Sequence, residues 1–161
     1  MMLVVNLADV DSTMINAVGG KAFNLGIMNS GKLPVPGGFC VTTDAYRVVV
    51  QHRLDDLMDK LASATDPAGV AAAAEEARQR VLALEPPAEL RTVISDHYTA
   101  LGNEEAVAVR SSATAEDLAH ASFAGQQDTY LNVVGSAALL AAVRRCWGSL
   151  WTDRAVSYRN A

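Results

Sequence analysis

Two cysteines and three histidines are all that this 161-residue chain carries of those metal- and redox-active residues. Cys40 and Cys146 lie far apart, with no CxxC pair and no Cys/His cluster, which gives no support to a disulfide framework or a zinc site; both read as small core hydrophobes. No apolar run approaches the roughly 18 residues that a membrane-spanning helix needs. The N-terminus has no basic segment and soon meets Asp9 and Asp11, unlike a secretory signal, so the cytoplasm is the expected compartment. Basic residues are also few, 13 against 18 acidic ones, for a net charge of -5. A chain so poor in cations does not neutralise a run of phosphates, which argues against nonspecific nucleic-acid binding. Neither GxxxxGK[ST] nor GxGxxG occurs, and there is no internal repeat or low-complexity linker.

What remains is a chain half of whose residues are apolar, enough to bury the core of one domain. Leu3 to Leu7 reads as a strand. Gly19-Gly20-Lys21 opens a short helix that ends near Gly31, and Pro34 to Gly38 breaks the chain. Phe39 to Thr42 is β-favouring, and Thr43-Asp44 offers a helix N-cap with an acid in the first turn. The spacing of Val50, Leu54, Leu57 and Leu61 predicts one continuing helix. Asp66-Pro67 starts the next, with Val70, Ala74, Ala77, Val81 and Leu84 as its apolar stripe. Pro86-Pro87 separates it from a helix carrying Leu90, Ile94 and Leu101, with His97 at the edge of the core. Ala106 to Val109 reads as a buried strand and Tyr130 to Val134 as another. Leu140, Val143, Trp147, Leu150 and Trp151 share a face of the last helix.

Three elements carry donors suited to phosphate oxygens. Gly19-Gly20-Lys21 sets backbone N–H groups and one ammonium at a helix start. Alone, it is first of all a glycine-rich turn with a solvated lysine. Arg110 follows an apolar strand, which would deliver its guanidinium to a cleft beside the hydroxyls of Ser111, Ser112 and Thr114. Equally, Arg110 pairs with Glu116 or Asp117, two acids that suit the first turn of a short helix capped by Ser112 or Thr114. The loop from Ala121 through Gly125, Gln126, Gln127 and Asp128 to Thr129 is small-residue-rich, and either closes amides over a ligand, with Phe123 clamping its base, or simply connects to a strand. Residues 110 to 161 hold five arginines, no lysine and four acids, so any phosphate there meets arginine. Taken together, Val107 to Tyr130 reads as half of a nucleotide triphosphate site.

These residues carry a family resemblance that runs over nearly the whole chain. Gly19-Gly20-Lys21-Ala22-Phe23-Asn24-Leu25-Gly26, Val35-Pro36-Gly37-Gly38-Phe39 to Thr43, Ala108-Val109-Arg110-Ser111-Ser112 to Leu118, Ala121 to Asn132, and Cys146-Trp147-Gly148 to Ala155 resemble the N-terminal ATP-binding domain of the pyruvate, phosphate dikinase and phosphoenolpyruvate synthase family, which includes rifampicin phosphotransferases. The resemblance implies an α+β chain forming the first lobe of an ATP-grasp-type nucleotide-binding domain over residues 1–161, its helices packed on a small mixed sheet. It implies ATP as ligand, with Lys21 and Arg110 on the phosphates, Ser111 beside them, and the loop of Gly125, Gln126, Gln127, Asp128 and Thr129 over the triphosphate.

In such proteins the phosphoryl group passes to a histidine on a swivelling domain and then to pyruvate or rifampicin, each step resting on positioning and charge neutralisation. The resemblance assigns Mg2+ ligands to a second lobe and the phosphorylated histidine to a further domain, both lying beyond Ala161 and met in cis or in trans. His52, His97 and His120 do not match that histidine; His120, in the loop, would at most touch ligand. The chain is therefore expected to be the ATP-binding portion of a phosphotransferase, incomplete for catalysis by itself, with an apolar face left open where the second lobe would pack. The alternative is a stand-alone nucleotide-binding module that works with a separately encoded partner.

Overall fold

The computed structural model describes residues 1–102, 104–112 and 129–152. Strands β1 (Val4–Asn6) and β2 (Phe39–Val41) pair antiparallel, Val4 opposite Val41 and Asn6 opposite Phe39. Strands β3 (Val107–Arg110) and β4 (Thr129–Val133) form a second antiparallel pair. The class is α+β as expected, but the described strands make two separate two-stranded sheets rather than one mixed sheet. Among the described residues six α-helices accompany them: α1 (Ile15–Ser30), α2 (Thr43–Val50), α3 (Asp55–Ser63), α4 (Pro67–Ala83), α5 (Ala88–Leu101) and α6 (Ser136–Ser149).

Local chemistry explains most of these boundaries. Asp66 caps α4, its Oδ1 accepting the Gly69 N–H at 3.0 Å, with Pro67 at the first helical position. At α2 the cap falls one residue earlier than Thr43: Thr42 is the N-cap, accepting from Ala45 N at 3.4 Å, and Asp44 lies in the first turn. The single helix expected from Val50 to Leu61 is interrupted, because Gln51 leaves helical geometry and His52 takes φ 58°. The apolar spacing survives the break, since Leu54 and Leu57 are both buried. An ion-pair cluster then ties α3 to α4. Arg80 donates to Asp56 and to Glu76, and Lys60 also reaches Glu76.

The main core lies among α2 to α6, with Leu57, Ala74, Ala77, Val81, Leu90, Ile94, Leu139 and Trp147 buried within it. Each fully buried Leu or Ile contributes about 1.5–3 kcal/mol. Trp151 joins this core and donates its indole N–H to Tyr46 Oη at 2.7 Å, fastening the end of α6 to α2. His97 is half-buried as expected, its ring tilted 5.5 Å from that of Phe39. Cys146 is buried, and burial of half-exposed Cys40 pushes its thiol up to about 12, so both behave as core groups. A smaller core of Val5, Val10, Val18 and Ala22 seats α1 against β1.

Strand β3 is not fully buried; its residues alternate between half-buried and exposed. On the other side of the pair, Val107 faces Val133 while Val109 faces Tyr130, so β4 carries one extra residue between them. Asn132 absorbs this bulge at φ 53°, a region that Asn enters more readily than most residues. The bulge resets the alternation: Leu131 and Asn132 are both exposed, whereas Tyr130 and Val133 both turn inward. Tyr98 braces this end of the molecule, its hydroxyl donating to Glu105 O at 2.7 Å and accepting the Gly135 N–H at 2.8 Å.

Candidate functional site

The site begins with a backbone singularity. Gly19 takes φ 76° and ψ 168° inside α1, so the helix is two pieces joined at a kink. A Cβ there would overlap the carbonyl of Ser112 and come within 2.8 Å of its Oγ. Glycine is therefore required twice, for the positive φ and for the approach of the strand end. Residues 20 and onward restart the helix with their first amides unpaired within it. A cap normally supplies a side-chain oxygen from its own sequence, as Thr42 and Asp66 do, and Gly19 has none. Ser112 supplies one from across the chain: its Oγ accepts the Ala22 N–H at 2.9 Å.

Beside this contact, Lys21 donates from Nζ to the Ser111 carbonyl oxygen at 3.4 Å. Two of the three motifs picked out in the sequence thus meet, although 90 residues separate them. Lys21, Ser111 and Ser112 are half-buried at this junction. Arg110 is exposed at the end of β3 and forms no ion pair with a described residue. Opposite it in the ladder stands Thr129, the first residue of β4 and also exposed. The bulge sets this pairing: carried on without it, the register from Val107 and Val133 would put Tyr130 opposite Arg110.

The junction therefore brings the Lys21 ammonium and the restart of α1 against Ser111 and Ser112, the two residues that follow exposed Arg110; ammonium, guanidinium and helix N-terminus are groups suited to anionic oxygens. Ser112, which with Thr114 is one of two caps the sequence offers for a following helix, accepts the Ala22 N–H; the segment expected to form that helix falls outside the described residues. Glu116, Asp117, His120, Phe123, Gly125, Gln126, Gln127 and Asp128 lie outside the described residues. A cavity of about 350 Å³ is lined, among the described residues, by Ala71, Glu75, Arg78 and Thr152, none of which is a candidate residue. Among the described residues no cluster of three or more His, Cys, Asp or Glu is arranged to hold a metal, and no helix is long and apolar enough to cross a membrane. Large apolar side chains are exposed at Ile15, Ile27, Met28 and Leu33, and again at Leu131 and Val134.

Sequence reasoning missed two contributors. The role of Ser112 as a cap in trans has no local signal, because its partner is remote. Asn132 carried a faint one, an Asn inside an otherwise β-favouring run.

Comparison with known proteins supplies the context for this geometry. Residues 15–161 match the family described as pyruvate phosphate dikinase, AMP/ATP-binding domain. The chain is 47% identical over 162 residues to a rifampicin phosphotransferase of Streptomyces sviceus, covering 98% of this chain and 19% of that protein. A rifampicin phosphotransferase of Bacillus subtilis is 42% identical, with 98% of this chain and 19% of that protein covered. A phosphoenolpyruvate synthase of Aeropyrum pernix is 41% identical, with 99% and 21% covered. The chain spans about a fifth of the length of these curated relatives.

Proposed function

The chain belongs to the pyruvate phosphate dikinase AMP/ATP-binding domain family, and from that premise we propose that it forms one wall of the ATP site of a histidine-phosphorylating phosphotransferase. Lys21 and Arg110 neutralise the phosphate oxygens, and Ser111 stands between them. The segment Gly125, Gln126, Gln127, Asp128 and Thr129 lies over the triphosphate with its amides and hydroxyl. A second lobe, in cis or in trans, brings the Mg2+ ligands. Mg2+ held there would supply charge neutralisation during phosphoryl transfer. The phosphoryl group goes to a histidine on a swivelling domain and then to pyruvate, giving phosphoenolpyruvate, or to rifampicin, the acceptor named by two of the relatives.

The observation that carries this reading is the contact of Lys21 Nζ with the Ser111 carbonyl at 3.4 Å. It brings the ammonium to the residue that follows Arg110, which supports assigning both cations to one polyanion. Phosphoryl transfer needs little from the protein beyond such positioning and charge stabilisation. The test is titration of the protein with ATP and magnesium beside Lys21→Ala and Arg110→Ala. Each variant is expected to bind at least tenfold more weakly, the scale of one lost charge-assisted contact. Binding equal to wild type in both variants would remove the phosphate assignment. Incubating the full-length protein that carries this domain with ATP and either pyruvate or rifampicin then identifies the acceptor.

A further inference from the structure

The hydroxyl of Ser112 reaches out of its own strand end to the backbone of a remote helix. It accepts the Ala22 N–H at 2.9 Å, one residue after Lys21, from a position two residues after Arg110. The Ser112 carbonyl fills the space that the missing Cβ of Gly19 leaves. Together with the contact of Lys21 on Ser111, this clasp is a direct link between the two backbones that carry the candidate cations. Neither β3 nor α1 fixes their relation alone, since among the described residues β3 pairs with β4 and packs on α6, while α1 packs chiefly on the turn at Leu7–Asp9 and on α2.

We propose that Ser112 is a positioning residue of the nucleotide site: by capping the α1 restart from across the site, it fixes the spacing between Lys21 and Arg110. The proposal rests on the assignment of those two side chains to the nucleotide phosphates. In this role Ser112 works through its acceptor oxygen, which holds the Ala22 amide. It acts through the placement of Lys21. A small displacement of a charged group from its ligand is costly, so the loss of one hydroxyl far smaller than a charge still weakens binding.

The test is a double-mutant cycle on ATP affinity with magnesium present, read beside the thermal midpoint of each protein. Ser112→Ala is expected to weaken ATP binding on the order of tenfold, and Ser112→Thr, which keeps the oxygen, to bind as wild type. In a Lys21→Ala background, Ser112→Ala is expected to change affinity by less than about twofold, because the group it places is gone. Should Ser112→Ala fail to fold, Ser112→Cys takes its place in the cycle with the same expectations. Losses that multiply in the double variant, or an unchanged affinity in Ser112→Ala when Lys21→Ala is weakened, overturn the positioning role. Unchanged affinity in Lys21→Ala itself removes the premise instead, so the two failures are told apart.

Discussion

Ser112 Oγ accepts the backbone N–H of Ala22 at 2.9 Å, and the approach is open only because residue 19 has no Cβ. The first prediction follows from that dependence. In Gly19→Ala the new methyl would overlap the Ser112 carbonyl, and the backbone would be held at φ 76° by a residue that disfavours it. The dihedral alone costs about 1–3 kcal/mol. With the overlap, the total destabilisation is expected to exceed about 3 kcal/mol, in the range of buried steric defects. Urea denaturation measures it; a loss below about 1 kcal/mol would mean that the strand end withdraws freely and the clasp is weak.

Arg110 gives the opposite expectation. It is exposed, and it pairs with no acid among the described residues. Arg110→Ala should therefore change unfolding free energy by no more than about 0.5 kcal/mol in the absence of nucleotide. The effect appears only with ligand: saturating ATP raises the thermal midpoint of wild type by mass action, and Arg110→Ala should lose most of that rise. A variant destabilised equally with and without ATP would show that Arg110 serves the fold.

Acid stability should depend on Glu75. Hydrogen bonds donated by Arg78, and then by Gln79, each at 2.8 Å, hold its carboxyl down to about 2 from an ordinary value of 4.5. The native state thus favours the ionised form. Its contribution is present above pH 4.5 and is lost as pH falls from there toward about 2. Thermal midpoints of wild type and Glu75→Gln should differ by a constant amount near neutrality and converge over that acid window. A gap that stays constant down to about pH 2 would mean that the glutamate packs rather than titrates.

How far the molecule was legible depends on how local each cause is. The start of α4 was readable because Asp66 and Pro67 act within one turn. The break between α2 and α3 was not, because Leu54 and Leu57 keep their helical spacing across it while His52 carries the backbone out of the helix. Strand pairing was not legible for a similar reason. Short apolar runs say that strands exist, but pairing is decided by tertiary placement, and the described strands pair β1 with β2 and β3 with β4. At the site, residue type alone marked Lys21 and Arg110 as cations near glycine and hydroxyls. The contacts of Lys21 with Ser111 and of Ala22 with Ser112 each span 90 residues and have no local signature.

The β4 bulge brings a last expectation, this time about register. Asn132 at φ 53° accommodates the extra residue and lets Thr129 stand opposite Arg110 while Tyr130 stays inward over Val109. Asn132→Gly keeps that conformation accessible and should preserve both fold and nucleotide affinity. Asn132→Val disfavours it by about 1–2 kcal/mol, since a β-branched side chain resists the left-handed region. Valine pushes toward continuous pairing, which would set Tyr130 against Arg110 and turn its ring outward, away from the inward position it shares with Val133. The strand then either keeps the strained bulge or slips by one residue and exposes an aromatic ring. Amide exchange across β4 separates the two. Slippage should leave Thr129 unprotected and weaken ATP binding, whereas a retained bulge should lower stability alone. Equal stability and equal affinity in the Gly and Val variants would mean that Asn132 does not hold the register.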